Sequence, residues 1–483
     1  MYYYKLIIYI FFLLIFINIS VGKTKEKKNL LFHRRCKRGN NSGCFGGGSR
    51  RSTQPFRQRE GKAHVEEESE TEGGWNSKKR ALYVTNNTFY SHLKFNKFLA
   101  ETLTEKYSVV EIEENLNDRS IDYLVRTYTE IFKNSNEVTN YIRSQEYAFG
   151  IAEFAEMAGA FALFEALGIP NTFNVSASIF FPSHFQYLDF DIIEHIERGN
   201  IIPELKFAKP GDWIVEEEGR IVENIKAHKE RINSERIFFE EASKDLTKAM
   251  KIRRSINFFK NLFGKISYHF INQNKFANFE AFPEDKKIIY IGGILVEENE
   301  NITTVKNFGH YPLVYVSFGT VDVQSGMNVG DIKFMMRVFI KYRNHYFKVR
   351  TGNECLPEIR GNLEVTNDFL PQQEILFHPN TKLFISHCGQ NSLTEAIYAG
   401  VPLICIPNSG DQFYNSSLVE YLGIGIYVLL IIRDEKGNPI IDEEGNYLKN
   451  KNFQNDFRNA LNEMFNNLLV KFQNFASILI VFQ

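Results

Sequence analysis

The feature that most constrains the fold is a run of short elements within residues 383–406. Residues 383–385 (Leu-Phe-Ile) are a short apolar run of the kind buried in a parallel sheet. His387-Cys388-Gly389 interrupts that run with a glycine turn. Good helix formers then occupy residues 391–399, and Gly400 ends the helix. Residues 401–406 follow as a second buried strand, so this order predicts an α/β fold.

A helix that begins directly after a buried strand is a ready site for an anion. Its first N–H groups are free and its dipole points at the ligand. Gly389, Asn391 and Ser392 occupy this position here. The alternative for Asn391, Ser392 and Glu395 is a simple helix cap and first turn. A capping role is reasonable for any one of these residues, but it explains the whole set poorly.

The whole chain is long enough for two or three domains, since it has 483 residues. Its net charge of −1 gives no sign of a polyanionic partner, so nucleic acid is not expected. Two successive α/β units begin with apolar strands at Ala81 and at Leu313, with a polar stretch at 297–306 as the expected linker. We therefore expect a first α/β domain at 81–300 and a second at 301–483, the latter with an atypical polar tail after Gly425.

The N-terminal region predicts a targeting signal followed by a disordered segment. Lys5 precedes an apolar run at 6–17 and then small residues, which is typical of a signal peptide at 1–22 and of entry into the secretory pathway. Residues 23–80 are charged and rich in Gly and Ser, so they are expected to be disordered. No later segment has some 18 unbroken apolar residues, so no membrane anchor is visible and membrane association stays open.

Cysteines and glycosylation sequons add little at this stage. Five cysteines without a repeated spacing argue against a disulfide framework and against a zinc site. If the chain is luminal, five N-x-S/T sequons are possible glycosylation sites: Asn40, Asn86, Asn174, Asn301 and Asn415.

Two polar residues of the first domain follow predicted strands. His92 lies where the loop after strand 81–84 meets a helix at 93–107, and Glu153 follows strand 147–152. The carboxyl ends of parallel strands are where α/β folds place ligands. The long charged segment at 183–276 is predicted to be mostly helical.

The spacing of several motifs resembles the UDP-glycosyltransferases, the UDP-glucuronosyl/UDP-glucosyltransferase family, and its animal branch in particular. The matching residues are Ser386-His387-Cys388-Gly389-x-Asn391-Ser392-x-x-Glu395, Gly400-Val401-Pro402, Pro407 and Asp411-Gln412. Weaker likeness extends from Ala81 to about Gly425. The resemblance implies two Rossmann-like domains facing across a cleft (the GT-B type), with the acceptor in the first and the UDP-sugar in the second.

The resemblance also implies a role for each matching residue. His92 would be the base for the acceptor hydroxyl, and Glu153 would orient it, where the family often has Asp. His387 would donate to the β-phosphate, Glu395 would bind the ribose hydroxyls, and several residues would contribute further donor contacts. Those are Gly389, Asn391, Ser392, Ser317 and Thr320 at the phosphates, Phe369 and Gln372 at the base, and Asp411 and Gln412 at the sugar.

The expected activity is an inverting transfer of glucuronic acid or glucose from a UDP-sugar to a small lipophilic acceptor. No cofactor or metal is expected beyond the donor itself, and the location is the endoplasmic reticulum lumen or membrane. One alternative is a relative that binds UDP or lipophiles without turnover. Another is a metal-dependent transferase that uses Asp189 and Asp191, although an Asp-x-Asp pair on a polar loop is more often structural.

Overall fold

Two parallel sheets, flanked by helices, make up the described part of the chain. The computed structural model describes residues 30–32, 78–86, 89–114, 128, 133, 137–252, 255, 257–297, 311–319, 327–352 and 358–480. Within these residues each sheet has seven strands. The first sheet draws on strands up to residue 290, and the second begins at residue 313.

The first sheet is parallel throughout, in the order β1-β3-β2-β4-β5-β6-β7. Its strands are β1 (Leu30–Phe32), β2 (Arg80–Asn86), β3 (Ser108–Glu114), β4 (Phe149–Ala152), β5 (Thr172–Ser176), β6 (Tyr268–Ile271) and β7 (Ile288–Tyr290). Its α-helices are α1 (Tyr90–Leu103), α2 (Glu137–Ser144), α3 (Phe154–Ala166), α4 (Ile192–Glu197), α5 (Arg220–Met250), α6 (Phe258–Gly264) and α7 (Ile294–Glu297), with a 3₁₀ helix at Pro182–Leu188.

The second sheet has the order β10-β11-β9-β8-β12-β13-β14, and β10 alone is antiparallel to its neighbour. Its strands are β8 (Leu313–Ser317), β9 (Tyr346–Arg350), β10 (Glu358–Arg360), β11 (Leu363–Thr366), β12 (Thr381–Ser386), β13 (Leu403–Cys405) and β14 (Gly425–Tyr427). Its helices are α8 (Val329–Phe339), α9 (Gln372–Leu376), α10 (Gln390–Ala399), α11 (Gln412–Tyr421) and α12 (Phe453–Ile480).

Each sheet has a point at which the strand order reverses. In the first sheet the chain leaves β2 toward β3 on one side and returns to β4 on the other. In the second sheet β8 lies between β9 and β12 in the same way. Ligands of open α/β sheets bind in the crevice at such reversal points, beyond the carboxyl ends of the strands.

One sequence-based expectation for the first part of the chain was wrong, and another was incomplete. Leu30–Phe32 lies in the segment expected to be disordered, yet these three apolar residues form an edge strand parallel to β3. The segment at 183–276 is mostly helical as expected, but it also contains the strand β6, which was not predicted. The rest of the expected signal peptide and disordered segment, up to residue 77, and linker residues 298–306 lie outside the described residues.

The two halves share part of their hydrophobic core. One cluster of buried side chains runs from Leu82 in β2 to Phe384 in β12. Continuous apolar burial of this kind holds the two sheets in a defined arrangement. In the described part of the chain, no helix has both the length and the apolarity that crossing a membrane would need.

Candidate active site

His92 and Glu153 meet at the reversal point of the first sheet. His92 lies in the first turn of α1, after β2, and Glu153 is the residue between β4 and α3. Nδ1 of His92 lies 2.9 Å from Oε2 of Glu153, and the side chains are 19% and 3% exposed. Because β2 and β4 are neighbours in the sheet, residues 61 positions apart form a hydrogen bond.

Glu153 is held in place by a second set of contacts. Its Oε1 accepts the backbone N–H of Ala177 at 3.1 Å and the hydroxyl of Ser176 at 3.4 Å. Oε2 is therefore directed at His92, and since a carboxylate only accepts, Nδ1 of His92 carries the proton. This leaves Nε2 as the ring nitrogen that can take a proton from another molecule.

Three carboxylates decide the protonation of His92. Burial opposes the charged imidazolium, but the negative charges of Glu153, Glu156 and Asp411 outweigh burial and raise the pKa of His92 from 6.5 to about 9. At pH 7 roughly 1% of His92 is then neutral, as follows from a pKa two units above the pH. The basic form of His92 is accordingly favoured by alkaline pH.

His387 follows β12 at the reversal point of the second sheet and is buried. A side chain at Gly319 or Gly389 would collide with the imidazole ring, because its Cβ would lie 2.5 Å or 2.7 Å, respectively, from Nε2 of His387. Only glycine at these two positions leaves room for the ring. Burial, reinforced by the positive charge of Arg350, lowers the pKa of His387 to about 4. Its ring is neutral at pH 7 and carries one N–H that can donate. Among the described residues, Nδ1 of His387 has no hydrogen-bond partner.

The N-terminus of α10 brings together several residues singled out by the sequence. Gly389 is the N-cap of α10. Ser392 Oγ accepts from Gln372 at 3.1 Å, and the same amide donates to Glu395 at 2.6 Å. Gln373, which the sequence reasoning missed, donates to the other oxygen of Glu395 at 3.0 Å. Its position beside Gln372 at the start of α9 was the available signal.

Two bonds connect the donor-side residues to the first half of the chain. Asn391 Oδ1 accepts from Asn272 at 2.7 Å, and Asp411 Oδ2 accepts from the hydroxyl of Ser178 at 2.8 Å. Burial raises the pKa of the Asp411 carboxyl. Asp411 is thus the acidic group of the second half that reaches the neighbourhood of His92.

Gln412 lies at the start of α11 and holds the loop before that helix. Its Oε1 accepts the backbone N–H groups of Asn408 at 2.8 Å and Ser409 at 3.2 Å. Its side-chain oxygen therefore holds the loop before α11. Its amide nitrogen donates to the hydroxyl of Ser409 at 3.4 Å, which leaves one N–H of the amide for a ligand.

Phe369 is 73% exposed and lies beside a cation that the sequence reasoning missed. The guanidinium carbon of Arg350 is 4.6 Å from the ring centroid of Phe369, and Arg350 also donates to the carbonyl of Gly319. Arg350 ends β9, next to β8, which is the positional signal that could have found it. Ser317 is buried at the end of β8, whereas Thr320 lies outside the described residues.

A disulfide joins Cys388 to Cys405, contrary to the expectation from the cysteine count. β12 pairs with β13 so that Ser386 lies opposite Cys405, and the two cysteine Cα atoms come within 5.5 Å. The spacing of the cysteines along the chain could not predict this disulfide, because β12 and β13 bring the two residues together only by pairing in the sheet. The disulfide ties the turn at His387 to the strand that precedes the Asp411 loop.

Asp189 and Asp191 both have structural partners. Asp191 caps α4 by accepting the N–H groups of Ile193 and Glu194, and Asp189 pairs with Lys260 at 3.2 Å. Over the part of the chain that the structure describes, no group of three or more His, Cys, Asp and Glu side chains is arranged to hold a metal ion.

Two of the five sequons lie in the folded interior. Asn174 and Asn415 are buried, so the folded chain has no room for a glycan at either position. Asn40 and Asn301, and the side chain of Asn86, lie outside the described residues.

The arrangement supports proton abstraction on one side and anion stabilisation on the other. His92 is oriented by a fixed carboxylate, as a general base requires. Across the junction of the halves, a neutral His387 and the N-terminus of α10 present N–H donors where negative charge would gather. Across the same junction, the hydroxyl of Ser178 in the first half donates to Asp411 in the second.

Comparison with known proteins gives a consistent result. Residues 276–432 match the family described as "UDP-glucoronosyl and UDP-glucosyl transferase". A putative UDP-glucuronosyltransferase of Caenorhabditis elegans is 26% identical over 303 residues, covering 60% of this chain and 54% of its own length. An ecdysteroid UDP-glucosyltransferase of Lacanobia oleracea granulosis virus is 36% identical over 157 residues, covering 31% and 34%. The chain thus spans about half the length of the first of these relatives, and less of the second.

Solved structures show the same fold. The glycotransferase of kitacinnamycin superposes with a TM-score of 0.54 at 15% identity, covering 83% of this chain and 94% of that one. A protein from O. sativa in complex with UDP gives a TM-score of 0.52 at 16% identity, covering 82% and 94%. The two-domain GT-B fold expected from the sequence is confirmed.

Proposed function

Because the chain belongs to the UDP-glycosyltransferase family, we propose that it transfers a sugar from a UDP-sugar to a hydroxyl of a small lipophilic acceptor. Glucose and glucuronic acid are the two sugars the proposal covers. The observation that carries it is the hydrogen bond of 2.9 Å between His92 and Glu153, set at the reversal point of the first sheet.

On the acceptor side, His92 acts as the base. Nε2 of His92 takes the proton of the acceptor hydroxyl, and Glu153 stabilises the imidazolium that forms. The acceptor oxygen attacks the anomeric carbon from the face opposite UDP, while the bond from that carbon to the β-phosphate oxygen breaks. The configuration at the anomeric carbon is inverted and UDP leaves.

On the side of the UDP-sugar, uncharged hydrogen-bond donors and one cation bind the diphosphate. His387 donates to the phosphate oxygens together with Gly389, Asn391 and Ser392 at the start of α10, and Ser317 adds a contact from the end of β8. Arg350 supplies positive charge near His387, in keeping with its effect on the pKa of that histidine. These groups stabilise the leaving UDP without a metal ion.

The remaining donor contacts come from residues around α9 and α11. Glu395 accepts from the ribose hydroxyls, Gln372 and Phe369 meet the uracil, and Asp411 and Gln412 meet the sugar. Several of these side chains already bind one another or the first half, as Gln372 binds Glu395 and Ser178 binds Asp411. Donor binding exchanges those internal hydrogen bonds for bonds to the ligand.

The secretory pathway is the proposed location, in the endoplasmic reticulum. Two independent features support it: the apolar N-terminal run after Lys5, and the Cys388–Cys405 disulfide, a bond that persists in oxidising compartments.

Purified protein incubated with UDP-glucose or UDP-glucuronate and a panel of phenols tests the activity. His92→Ala should lower kcat by about 10²–10⁴, the range for loss of a general base, whereas His378→Ala, outside the site, should not. A His92→Ala protein with the kcat of the wild type would disprove the mechanism. Coupling constants of the product's anomeric proton report whether the configuration is inverted.

Calorimetry with UDP separates binding from turnover. Glu395→Ala should weaken UDP binding at least tenfold, and His92→Ala should leave it unchanged. UDP binding without product from either donor would favour the alternative of a binding protein without turnover.

A further inference from the structure

Asn272 reaches from the first half of the chain into the proposed UDP-sugar site. It directly follows the last residue of β6 and is 2% exposed, and its backbone N–H donates to the carbonyl of Ser176 at 2.9 Å. Because β6 pairs with β5, the Asn272 side chain meets Ala177, the residue after β5. The ends of these two strands therefore fix the position of Asn272.

The side-chain nitrogen of Asn272 has two acceptors. It donates to the carbonyl of Ala177 at 2.9 Å and to Oδ1 of Asn391 at 2.7 Å, so both of its N–H groups are used. Because a backbone carbonyl can only accept, the nitrogen of the Asn272 amide, and not its oxygen, must face Ala177. The first half of the chain thus decides how the Asn272 amide is oriented.

The orientation of Asn272 in turn decides that of Asn391, the second residue of α10. The N–H of Asn272 needs an acceptor, so Asn391 turns Oδ1 toward Asn272, and its NH2 group lies on the other side of the amide. Asn391 is half-buried, and among the described residues its side-chain nitrogen meets no acceptor. That NH2 group can therefore donate to a ligand, whereas the reverse orientation would present an oxygen, which repels a phosphate oxygen.

The backbone of Ala177 also holds the acid beside the proposed base. Its N–H donates to Oε1 of Glu153, and its carbonyl accepts from Asn272. Hydrogen bonds thus run from His92 through Glu153, Ala177 and Asn272 to Asn391. One backbone residue therefore sets the place of groups on both sides of the site.

We propose that Asn272 is a positioning residue for the diphosphate, because it holds the Asn391 amide with its NH2 group toward the phosphate oxygens; this rests on the proposed use of a UDP-sugar. Asn272 acts through Asn391 and does not itself touch the phosphates. An amide that is already oriented does not have to be ordered when UDP binds. Since N–H donors form stronger hydrogen bonds to a charged phosphate than to a neutral group, the orientation affects affinity.

Binding of UDP and of uridine to the full chain tests this role, because only UDP carries phosphates. Asn272→Asp keeps the size of the side chain but replaces the donor with an acceptor, so Asn391 must turn its NH2 group toward position 272 and its oxygen toward the phosphates. Asn272→Ala releases the Asn391 amide without reversing it, and it serves if Asn272→Asp misfolds. Asn274→Asp is the matched control for an added carboxylate, since an oxygen remains to accept the N–H of Phe276.

We expect Asn272→Asp to weaken UDP binding at least about tenfold and Asn272→Ala at least about threefold, as for lost hydrogen bonds to a charged group. Uridine affinity should stay unchanged in both variants, and the control should bind both ligands as the wild type does. In an Asn391→Ala background, Asn272→Asp should cause no further loss of UDP affinity, whereas direct repulsion between the added carboxylate and the diphosphate would persist.

The proposal is overturned if no folded Asn272 variant weakens UDP binding, if UDP and uridine lose affinity equally, or if the loss on Asn272→Asp persists in the Asn391→Ala background. Equal losses would mean that Asn272 only supports the fold. Failure of the wild type to bind UDP would be a different result, since it would overturn the proposed function and this inference with it.

Discussion

Replacing Glu153 with Gln removes the charge beside His92 while keeping the shape and the acceptor oxygen for Ala177. Because the pKa of His92 is raised in the folded protein, its protonation stabilises the fold. That contribution is fully present below pH 6.5 and is lost as the pH rises through about 9. Glu153→Gln should therefore destabilise the protein in acid and near neutrality, and much less at pH 10.

The size of the effect follows from the shift. A pKa raised from 6.5 to about 9 corresponds to roughly 3 kcal/mol between pH 6 and pH 10. This is a net value: burial lowers the same pKa, and Glu153 shares the opposing increase with Glu156 and Asp411. The stability lost on substitution should accordingly be larger at pH 6 than at pH 10 by about 2 kcal/mol.

Urea unfolding of both proteins from pH 6 to pH 10 measures this difference. Glu165→Gln is the matched control, because Glu165 lies on α3, the helix that follows Glu153, and pairs with Lys265 rather than with a histidine. Other histidines titrate alike in both proteins and cancel. If the loss on Glu153→Gln were the same at every pH, Glu153 would not hold a proton on His92, and its assignment as the orienting acid would fail.

Three further predictions concern pH, the donor turn and the disulfide. In wild type, kcat/KM should rise with pH toward an apparent pKa near 9, and Glu153→Gln should move that rise to lower pH; a rate that is flat from pH 7 to 9.5 would contradict a protonated His92. Gly319→Ala places a Cβ against His387 in a backbone conformation with φ of 79°, so UDP affinity should fall at least tenfold by calorimetry; unchanged affinity would exclude His387 from the phosphate site. Cys405→Ala should cost about 3 kcal/mol in chemical unfolding, as expected for a closed loop of this length, and peptide mapping of non-reduced wild type should recover Cys388 linked to Cys405; free thiols at both would refute the disulfide.

Local chemistry alone determined much of the architecture. The apolar strand at 383–385, the turn at Gly389 and the helix that ends at Gly400 are dictated by periodicity and by glycine's backbone freedom, and the structure has all three. The donor-side residues around α10 could also be identified from the sequence, because they lie close to one another along the chain.

Contacts between distant strands could be decided only by the tertiary structure. The Cys388–Cys405 disulfide follows from the pairing of β12 with β13, and the strand at Leu30–Phe32 follows from an open edge at β3. Arg350 joins the site because β9 lies beside β8. The protonation of His92 depends likewise on Asp411, from the other half of the chain, since electrostatic effects act through space rather than along the sequence.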